Sequence, residues 1–315
     1  MTGFTEDELI QEIRRILSGE APGVLLGPGD DAALVEAGGM VVLTTDLAVE
    51  GVHFDRGTFS PRDLGYKALT ANVSDVAAMA GSPRYALVGL GLPPDAEAAW
   101  VVELYGGLRE AAGEYAVVVV GGDLSRSDRV VLAVTVTGEV ARGRAVSRSG
   151  ARPGDRVVVT GVLGAAAGGL HIARADRRLV NEALTSNWGR ELLRAHFRPV
   201  ARVGEGQTLA QAGATAMMDV SDGLAIDLGR LCRESGAAAA VRLADVPVAP
   251  GLELLATIPR DSVEPAGQAL RERFGTPLTE IGEIREGSGL IAIGEDGSER
   301  DLEPKGWDHF ADRAD

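Results

Sequence analysis

A short apolar run that leads directly into oxygen-bearing side chains is the feature that most constrains this chain. Residues 41–43 (Val-Val-Leu) predict a buried β-strand, and Thr44, Thr45 and Asp46 are expected at its end. Two hydroxyl groups and a carboxylate suit a hard cation such as Mg²⁺. A solvated turn uses the same residue types, so this segment alone leaves both interpretations open.

Carboxylates follow short apolar or glycine-rich runs in several other segments. The candidate metal-binding acids are Asp30, Asp31, Asp46, Asp75, Asp123, Asp219 and Asp222. Acids scattered over a surface would not recur so regularly at predicted strand ends, whereas an oxygen shell shared between Mg²⁺ and phosphate uses these ligands. We therefore expect the acids to converge on one pocket.

Composition limits the class of protein. The chain has 315 residues, of which 45% are hydrophobic, so it can bury a full core and its length favours about two domains. The net charge of −15 argues against binding to nucleic acid or anionic membranes, because the field repels phosphate groups. A single cysteine, Cys232, excludes an internal disulfide and is expected in a helical core position.

The sequence also indicates a compartment. No apolar run approaches the ~20 residues that a membrane span needs, and the first residues lack the basic and apolar regions of a signal peptide. We expect a cytoplasmic protein with no membrane partner.

Alternating helical and strand patterns predict an α/β fold. A helix beginning at Pro61 carries Asn72 and Asp75 on one face, and its small residues permit close packing. The polar, arginine-rich segment 142–155 is the expected domain boundary, which divides the chain into an N-terminal domain (1–145) and a C-terminal α/β domain (146–315).

Known nucleotide-binding loops are missing from the sequence. Residues 156–170 superficially resemble the strand, glycine loop and helix of a dinucleotide fold, but the glycine spacing differs from G-x-G-x-x-G, and close helix packing explains these glycines better. There is no P-loop and no kinase-type catalytic loop. A bound nucleotide would have to be held by metal ions, backbone amides and arginine.

Taken together, these motifs resemble the thiamine-monophosphate kinase family, of the superfamily that includes aminoimidazole ribonucleotide synthetase. The resemblance spans almost the whole chain and rests on residues 29–33 (GDDAA), 44–46 (TTD), 50–54 (EGVHF), 66–68 (YKA), 72–79 (NVSDVAAM), 121–123 (GGD), 148–155 (RSGARPGD), 219–224 (DVSDGL) and 305–310 (KGWDHF).

The resemblance implies a fold and a reaction. It implies a two-domain fold like that of aminoimidazole ribonucleotide synthetase, in which the N-terminal sheet forms a barrel with the sheet of a second subunit in a homodimer. It implies ATP-dependent phosphorylation of thiamine monophosphate to thiamine diphosphate by direct in-line transfer, with ATP as co-substrate and several Mg²⁺ ions.

The resemblance also implies roles for individual residues. Asp46, Asp75 and Asp123 would be essential for catalysis. The Mg²⁺ ligands would be Asp30, Asp31, Thr44, Thr45, Asp46, Asp75, Asp123, Asp219 and Asp222. ATP would be held by Gly122, Asp123, Arg148 and Ser221, and thiamine monophosphate would contact His53 and Trp307.

One segment departs from the family pattern. Family members carry Gly-Gly-Glu-Asp-Tyr-Glu-Leu well after the Ser-Asp-Gly motif, and its first glutamate touches the substrate. Here residues 248–251 run directly into residues 252–259, so only the tail of that segment is present. Either a loop is omitted, which the abrupt junction favours, or a substrate contact has been lost.

That departure keeps alternative functions open. The chain could be another ATP-dependent member of the superfamily. It could also bind nucleotide and metal without kinase turnover.

Overall fold

The chain forms two β-sheets with helices packed against them. The structure is a computed structural model that describes residues 24–26, 33–36, 40–175, 177–249 and 253–306. The first sheet is built from strands before residue 141 and the second from strands after residue 155. The predicted mixed α/β two-domain fold is confirmed.

Six strands form the first sheet, in the order β1-β2-β3-β6-β4-β5. They are β1 (Val24–Leu26), β2 (Ala33–Glu36), β3 (Met40–Val49), β4 (Ser82–Leu92), β5 (Val118–Arg126) and β6 (Val131–Val140). Neighbours run antiparallel, except that β4 and β5 are parallel. A parallel pair needs a crossover connection, and a helix supplies it here.

The predicted strand ends were wrong in two places. Thr44, Thr45 and Asp46 lie in the middle of β3, and Gly122 and Asp123 lie within β5. The reason is that backbone pairing continues past the apolar run: β3 stays paired with β6 as far as Val49. Ladder hydrogen bonds use backbone groups, so polar side chains do not end a strand.

Two helices cover one face of this sheet, namely α1 (Pro61–Ala78) and α2 (Ala98–Glu114). They approach very closely, as the small residues of α1 predicted. A Cβ atom on Gly65 would lie 2.1 Å from the Leu104 carbonyl oxygen, and one on Gly107 would lie 1.8 Å from the Arg62 carbonyl oxygen. Any side chain at either position would force the helix backbones apart.

The opposite face of the first sheet carries large apolar side chains that are about half exposed. They are Leu47, Tyr85, Leu87, Val118 and Val120. We call this surface the open face. No element among the described residues shields these side chains from solvent.

The second sheet has seven strands in the order β15-β14-β10-β13-β7-β12-β9. They are β7 (Arg156–Thr160), β9 (Ala216–Asp219), β10 (Ala238–Arg242), β12 (Leu254–Ile258), β13 (Leu278–Arg285), β14 (Gly289–Ile293) and β15 (Glu299–Asp301). Strands β8 (Leu163–Gly164) and β11 (Val248–Ala249) pair separately. Asp219 ends β9, as the sequence predicted.

Six further helices follow α2 along the described chain. They are α3 (Ala165–Ala173), α4 (Arg177–Thr185), α5 (Asn187–Phe197), α6 (Val203–Gln211), α7 (Leu224–Ser235) and α8 (Val263–Phe274). The helical stretch over residues 177–197 divides before α5, where Ser186 Oγ accepts a 3.1 Å hydrogen bond from Gly189 N. Cys232 is buried in α7, as predicted. No described helix is both long and apolar enough to cross a bilayer.

The end of α1 packs into the second sheet, so the two sheets share a core. Ala78 and Ala80 belong to a buried cluster that includes Met217 of β9. A Cβ atom on Gly206 of α6 would lie 2.2 Å from the Ala77 carbonyl oxygen. This contact brings the last turns of α1 against the strand that ends at Asp219.

Candidate active site

The first contact among the predicted ligands joins β3 to α1. Thr44 Oγ1 donates a 2.6 Å hydrogen bond to Asp75 Oδ2. Thr44 is buried at 8% exposure and Asp75 is half-buried, because α1 lies over this part of β3. A short hydroxyl-to-carboxylate bond holds the carboxylate in one orientation. Two predicted metal ligands from separate segments are therefore neighbours.

The second contact joins the two domains. Ser74 Oγ donates a 2.8 Å hydrogen bond to Asp219 Oδ2, and both residues are buried. Because Ser74 directly precedes Asp75, this bond sets Asp219 beside the Thr44 and Asp75 pair. Ligands predicted on β3, α1 and β9 thus meet at one place.

The loop after β9 is organised by a carboxylate that the sequence reasoning missed. Asp227 Oδ2 accepts 3.1 Å hydrogen bonds from the backbone N–H groups of Ser221, Asp222 and Gly223. These are the donors that an anion at a helix start would use. The anion at the start of α7 is thus the Asp227 carboxylate of the chain itself.

Arg230 of α7 binds two carboxylates of the same region. Its guanidinium donates to Asp222 Oδ2 and, at 3.2 Å, to Asp227 Oδ1. Burial and the charge of Asp222 raise the pKa of Asp227 to about 7, while Arg230 and the backbone donors act in the opposite direction. Asp222 is thereby fixed on the surface of the loop that follows Asp219.

Asp46 shares a strand face with Thr44, whereas Asp123 lies far from both of them. Asp46 pairs with Val134 of β6, and Asp123 pairs with Gly89 of β4. Since β6 and β4 stand between β3 and β5, the two backbones are about 14 Å apart at the usual strand spacing. Both side chains are exposed. Within one chain they therefore cannot share one ion, and their side chains leave opposite faces of the sheet, because Asp123 aligns through Gly89 and Ala133 with Leu47, the residue next to Asp46.

The other predicted nucleotide contacts are spread around this region. Gly122 approaches β4 so closely that a Cβ atom would lie 1.8 Å from the Val88 carbonyl oxygen, so only glycine fits. Arg148 follows Ser147, whose carbonyl oxygen accepts a 2.9 Å hydrogen bond from Met217 N. Arg148 therefore runs beside β9, and Ser221 is exposed just beyond its end.

Of the predicted substrate contacts, His53 lies in the described part of the chain. It is exposed in the turn after β3, where its Nδ1 atom accepts a 3.0 Å hydrogen bond from Val49 N. The neutral ring then carries its proton on Nε2, which is presented as a donor. Trp307, Asp30 and Asp31 lie outside the described residues.

Within the described ranges, no three His, Cys, Asp or Glu side chains lie close enough to hold a metal ion by themselves. The donors that do meet, a threonine hydroxyl and aspartate carboxylates, are hard oxygens of the kind that Mg²⁺ prefers. Mg²⁺ usually takes only one or two carboxylates and completes its shell with water and substrate phosphate. The donor set fits Mg²⁺ bound together with a nucleotide.

Glu253, in the tail of the incomplete family segment, has a structural role in this protein. Glu253 is 1% exposed and accepts hydrogen bonds from Thr160 Oγ1 at 2.6 Å and from Arg202 Nη2 at 2.7 Å. These bonds hold Glu253 inside the second domain. Its carboxylate is therefore not available to a substrate.

Some residues of this site were not identified from the sequence. Ser74, Asp227 and Arg230 position the predicted ligands without having been predicted themselves. Ser74 adjoins Asp75, and Asp222, Asp227 and Arg230 lie within eight residues of each other around a helix start. That spacing is the signal that could have found the last two.

Comparison with known proteins agrees with this arrangement. Family models match the chain over residues 29–140 (AIR synthase related protein, N-terminal domain) and 152–295 (AIR synthase related protein, C-terminal domain). The thiamine-monophosphate kinase of Aquifex aeolicus is 36% identical over 296 residues, covering 90% of this chain and 92% of that protein. The thiamine-monophosphate kinase of Bacillus subtilis is 34% identical over 306 residues, covering 90% and 93%.

A solved structure shows the same likeness. AaThiL complexed with AMPPCP and TMP superposes with a TM-score of 0.82 at 34% sequence identity, covering 97% of each chain. The fold and site described above thus define an AIR synthase related protein. Within that group, the chain belongs to the thiamine-monophosphate kinase family.

Proposed function

We propose that this protein transfers the γ-phosphoryl group of ATP to thiamine monophosphate and releases ADP and thiamine diphosphate. The observation that carries the proposal is the meeting of predicted ligands from β3, α1 and β9, made by the Thr44 to Asp75 and Ser74 to Asp219 hydrogen bonds. The relatives named as thiamine-monophosphate kinases, and the one solved with AMPPCP and TMP, support it.

The carboxylates of the chain hold the metal ions. The proposed Mg²⁺ ligands are Asp30, Asp31, Thr44, Thr45, Asp46, Asp75, Asp123, Asp219 and Asp222. Bound Mg²⁺ neutralises phosphate charge and aligns the two reacting groups. The protein has a net charge of −15 and both substrates carry phosphate, so the carboxylates repel the phosphates unless cations lie between them.

The remaining residues position the two substrates. Gly122, Asp123, Arg148 and Ser221 contact ATP in this proposal. His53 and Trp307 contact thiamine monophosphate, His53 through its Nε2–H donor and the indole by stacking on the cationic ring system. A phosphate acceptor is already ionised, so no residue has to act as a general base. Asp46, Asp75 and Asp123 act by fixing the charges around the transferred group.

The open face of the first sheet supports a homodimer. Apolar side chains exposed together on one sheet face are typical of surfaces that a second protein surface covers. The proposed partner is a second copy of this chain, whose sheet closes with this one into a barrel across the dimer.

Three further assignments belong to the same proposal. The N-terminal domain spans residues 1–145 and the C-terminal domain residues 146–315, a division that falls in the connection between β6 and β7. The protein acts in the cytoplasm and has no nucleic-acid or membrane partner. The single cysteine, which leaves no internal disulfide, suits a reducing compartment.

One assay tests the reaction. The protein is incubated with ATP, Mg²⁺ and thiamine monophosphate, and thiamine diphosphate is measured by mass spectrometry. Product that requires all three components supports the proposal. Hydrolysis of ATP without thiamine diphosphate would instead point to another ATP-dependent activity of the superfamily.

The incomplete Gly-Gly-Glu-Asp segment favours one second candidate, a protein that binds nucleotide and metal without turnover. Glu253 does not replace the family's substrate contact, since it is buried against Arg202. Calorimetry with ATP and Mg²⁺ separates the candidates when it is read beside the assay. Binding of ATP with no thiamine diphosphate and no ADP formed would support the second candidate.

A further inference from the structure

Lys67 is a half-buried cation with no counter-ion in the part of the chain that the structure describes. Other half-buried cations are paired with carboxylates: Arg198, for example, donates to Asp63 at 2.7 Å and to Glu110. The chain's other lysine, Lys305, lies 2.6 Å from a Glu303 carboxylate oxygen. In a chain with 46 acidic residues, a cation left without a carboxylate calls for an explanation.

The surroundings of Lys67 are aromatic and basic. Its Nζ atom lies over the Phe59 ring, 5.3 Å from the centroid. The Phe59 ring packs against His196 and Phe197 of α5 at centroid distances of 5.2 and 4.7 Å. The charged groups that face His196 are Lys67 itself and Arg174 at the end of α3, both of them cationic. This cluster therefore carries positive charge and no negative charge among the described residues.

Two further observations point to an anion-binding role for the cluster. The Nε2 atom of His196 is buried and has no hydrogen-bond partner among the residues that the structure describes, while the side chain is only 6% exposed. Burial lowers the pKa of Lys67 to about 8, which means that desolvation of its charge is not compensated. An anion at this place would stabilise the ammonium group. An ammonium group has three N–H donors, so it can also direct one of them to the Nε2 lone pair.

The cluster is connected both to the proposed metal site, through α1, and to the proposed substrate contact, through Phe54. Lys67 and Ser74 are seven residues apart on α1, so they share a face and are separated by about 10 Å along the axis. Ser74 holds Asp219. On the other side, the Phe59 ring packs 6.3 Å from the ring of Phe54, which directly follows His53.

The chemistry of the two substrates decides which of them Lys67 meets. Thiamine monophosphate carries a cationic ring, which an ammonium group repels, and one phosphate, which it attracts. The phosphates of ATP are assigned to the carboxylate-bound metal ions near Asp75 and Asp219. An anion bound by Lys67, on the side of those metal ions that leads to His53, corresponds to the acceptor.

We propose that Lys67 binds the phosphate group of the acceptor substrate, with His196 as the residue that orients its ammonium group. This inference rests on the proposed function for the identity of the acceptor. It adds a direct contact between the chain and the acceptor phosphate to a site otherwise made of metal ligands.

Steady-state kinetics test the role of the charge. In Lys67→Met, we expect KM for thiamine monophosphate to rise at least ten-fold while KM for ATP changes less than two-fold, and Lys67→Arg restores part of the loss. The control is Arg84→Met, which removes an exposed cation that pairs with Glu139, and which leaves both constants unchanged. Unchanged KM for thiamine monophosphate, or an equal rise in both constants in a folded Lys67→Met variant, overturns the proposal.

A chemical experiment tests the contact without turnover. The protein is treated with an acetylating ester at pH 8, and acetylation of Lys67 is followed by peptide mass spectrometry in the presence of thiamine monophosphate, thiamine or inorganic phosphate. We expect thiamine monophosphate and, at higher concentration, inorganic phosphate to slow acetylation several-fold, and thiamine to have no effect. Equal protection by thiamine, or no protection by either phosphate compound, contradicts the assignment.

The two hypotheses fail in different ways. A protein that forms no thiamine diphosphate refutes the proposed function, while protection of Lys67 by inorganic phosphate still supports an anion site. A protein that forms thiamine diphosphate with an unchanged KM in Lys67→Met retains its function and refutes the role of Lys67.

Discussion

Ser74 Oγ donates a 2.8 Å hydrogen bond to Asp219 Oδ2, linking residues that are 145 positions apart in the sequence. The bond joins the helix α1, which covers the first sheet, to the last residue of β9 in the second sheet. Because Asp75 follows Ser74 and is bonded to Thr44, the orientation of three predicted ligands depends on this one region of α1. The relative position of the two domains and the geometry of the site are therefore coupled.

Removal of this bond should destabilise the protein. Ser74→Ala takes a donor away from a buried carboxylate, so we expect the free energy of unfolding to fall by about 1–3 kcal/mol. The matched control is Ser298→Ala, which removes a 2.6 Å serine-to-carboxylate bond to Asp296 in an exposed turn. That change should stay within about 0.5 kcal/mol. Denaturant unfolding measures the free energy of unfolding of both variants. Equal losses would show that the interdomain bond contributes no more stability than the exposed one.

The proposed metal ligands should be essential for turnover and dispensable for folding. Asp46→Asn, Asp75→Asn and Asp123→Asn keep the size of the side chain and remove its charge, so we expect kcat to fall at least about 100-fold. Formation of thiamine diphosphate measures the effect, and circular dichroism checks the fold. Asp301→Asn, on the exposed strand β15, is the control and should be fully active. Near wild-type turnover in the three variants would refute the assignment of the site.

Close packing of α1 and α2 should not tolerate a methyl group. In Gly107→Ala, the new Cβ atom would lie 1.8 Å from the Arg62 carbonyl oxygen, so we expect a loss of about 1–3 kcal/mol or more in unfolding free energy. Gly113→Ala on the same helix has no neighbour within 4 Å and should raise stability by up to about 1 kcal/mol, because alanine favours the helix. Thermal unfolding distinguishes the two variants, which should shift in opposite directions.

The open face should control oligomeric state. We expect the protein to elute as a dimer in size-exclusion chromatography with light scattering, and Leu87→Arg, which places a charge on the open face, to elute as a monomer. Val102→Arg tests a residue of α2 that is 68% exposed and lies away from that face. This control should remain dimeric. A wild-type monomer at micromolar concentration, or a dimeric Leu87→Arg variant, would rule out this interface.

His196 should make stability depend on pH. Burial, together with the positive charges of Lys67 and Arg174, lowers the pKa of His196 to about 3. In the unfolded chain the ring takes up a proton below about pH 6.5, whereas the folded protein does not until about pH 3. Unfolding therefore binds a proton between these values, and this residue costs stability as the pH falls from about 6.5 to 3, by a few kcal/mol in all.

Unfolding measured across that range tests this prediction. His196→Phe keeps an aromatic ring in the cluster and removes the titrating group, so its stability should fall less steeply with acid than that of the wild type. His171→Gln replaces an exposed histidine and should keep the wild-type slope. Parallel profiles for the wild type and His196→Phe would show that the ring is protonated in the folded state.

Local patterns in the sequence predicted much of the architecture. The serine and proline at residues 60 and 61 marked the start of α1, and the structure has Ser60 Oγ accepting a 3.0 Å hydrogen bond from Asp63 N. The small residues of α1 predicted a close helix contact, which Gly65 makes with Leu104. The chemical type of the site was also readable, because aspartates and threonines that recur after short apolar runs in separate segments suit a hard cation.

The extent of the strands was harder to predict. A strand was expected to stop where apolar residues stopped, but β3 continues through Thr44, Thr45 and Asp46 because β6 supplies backbone partners along its whole length. Sheet pairing is a property of two segments, so a single segment does not show where it ends.

The sequence by itself determined which side chains are available: hard-oxygen ligands in separate segments, few lysines, and a strongly acidic chain that needs cations to bind phosphate. Only the tertiary structure decided which of them meet. The helix α1 packs against both sheets and so brings together Thr44, Asp75, Ser74 and Asp219. The strand order places two strands, β6 and β4, between Asp46 and Asp123. The tertiary structure also decided the charge environment of Lys67. Whether its ammonium group has a counter-ion depends on neighbours from α3 and α5 that are more than 100 residues away in the chain.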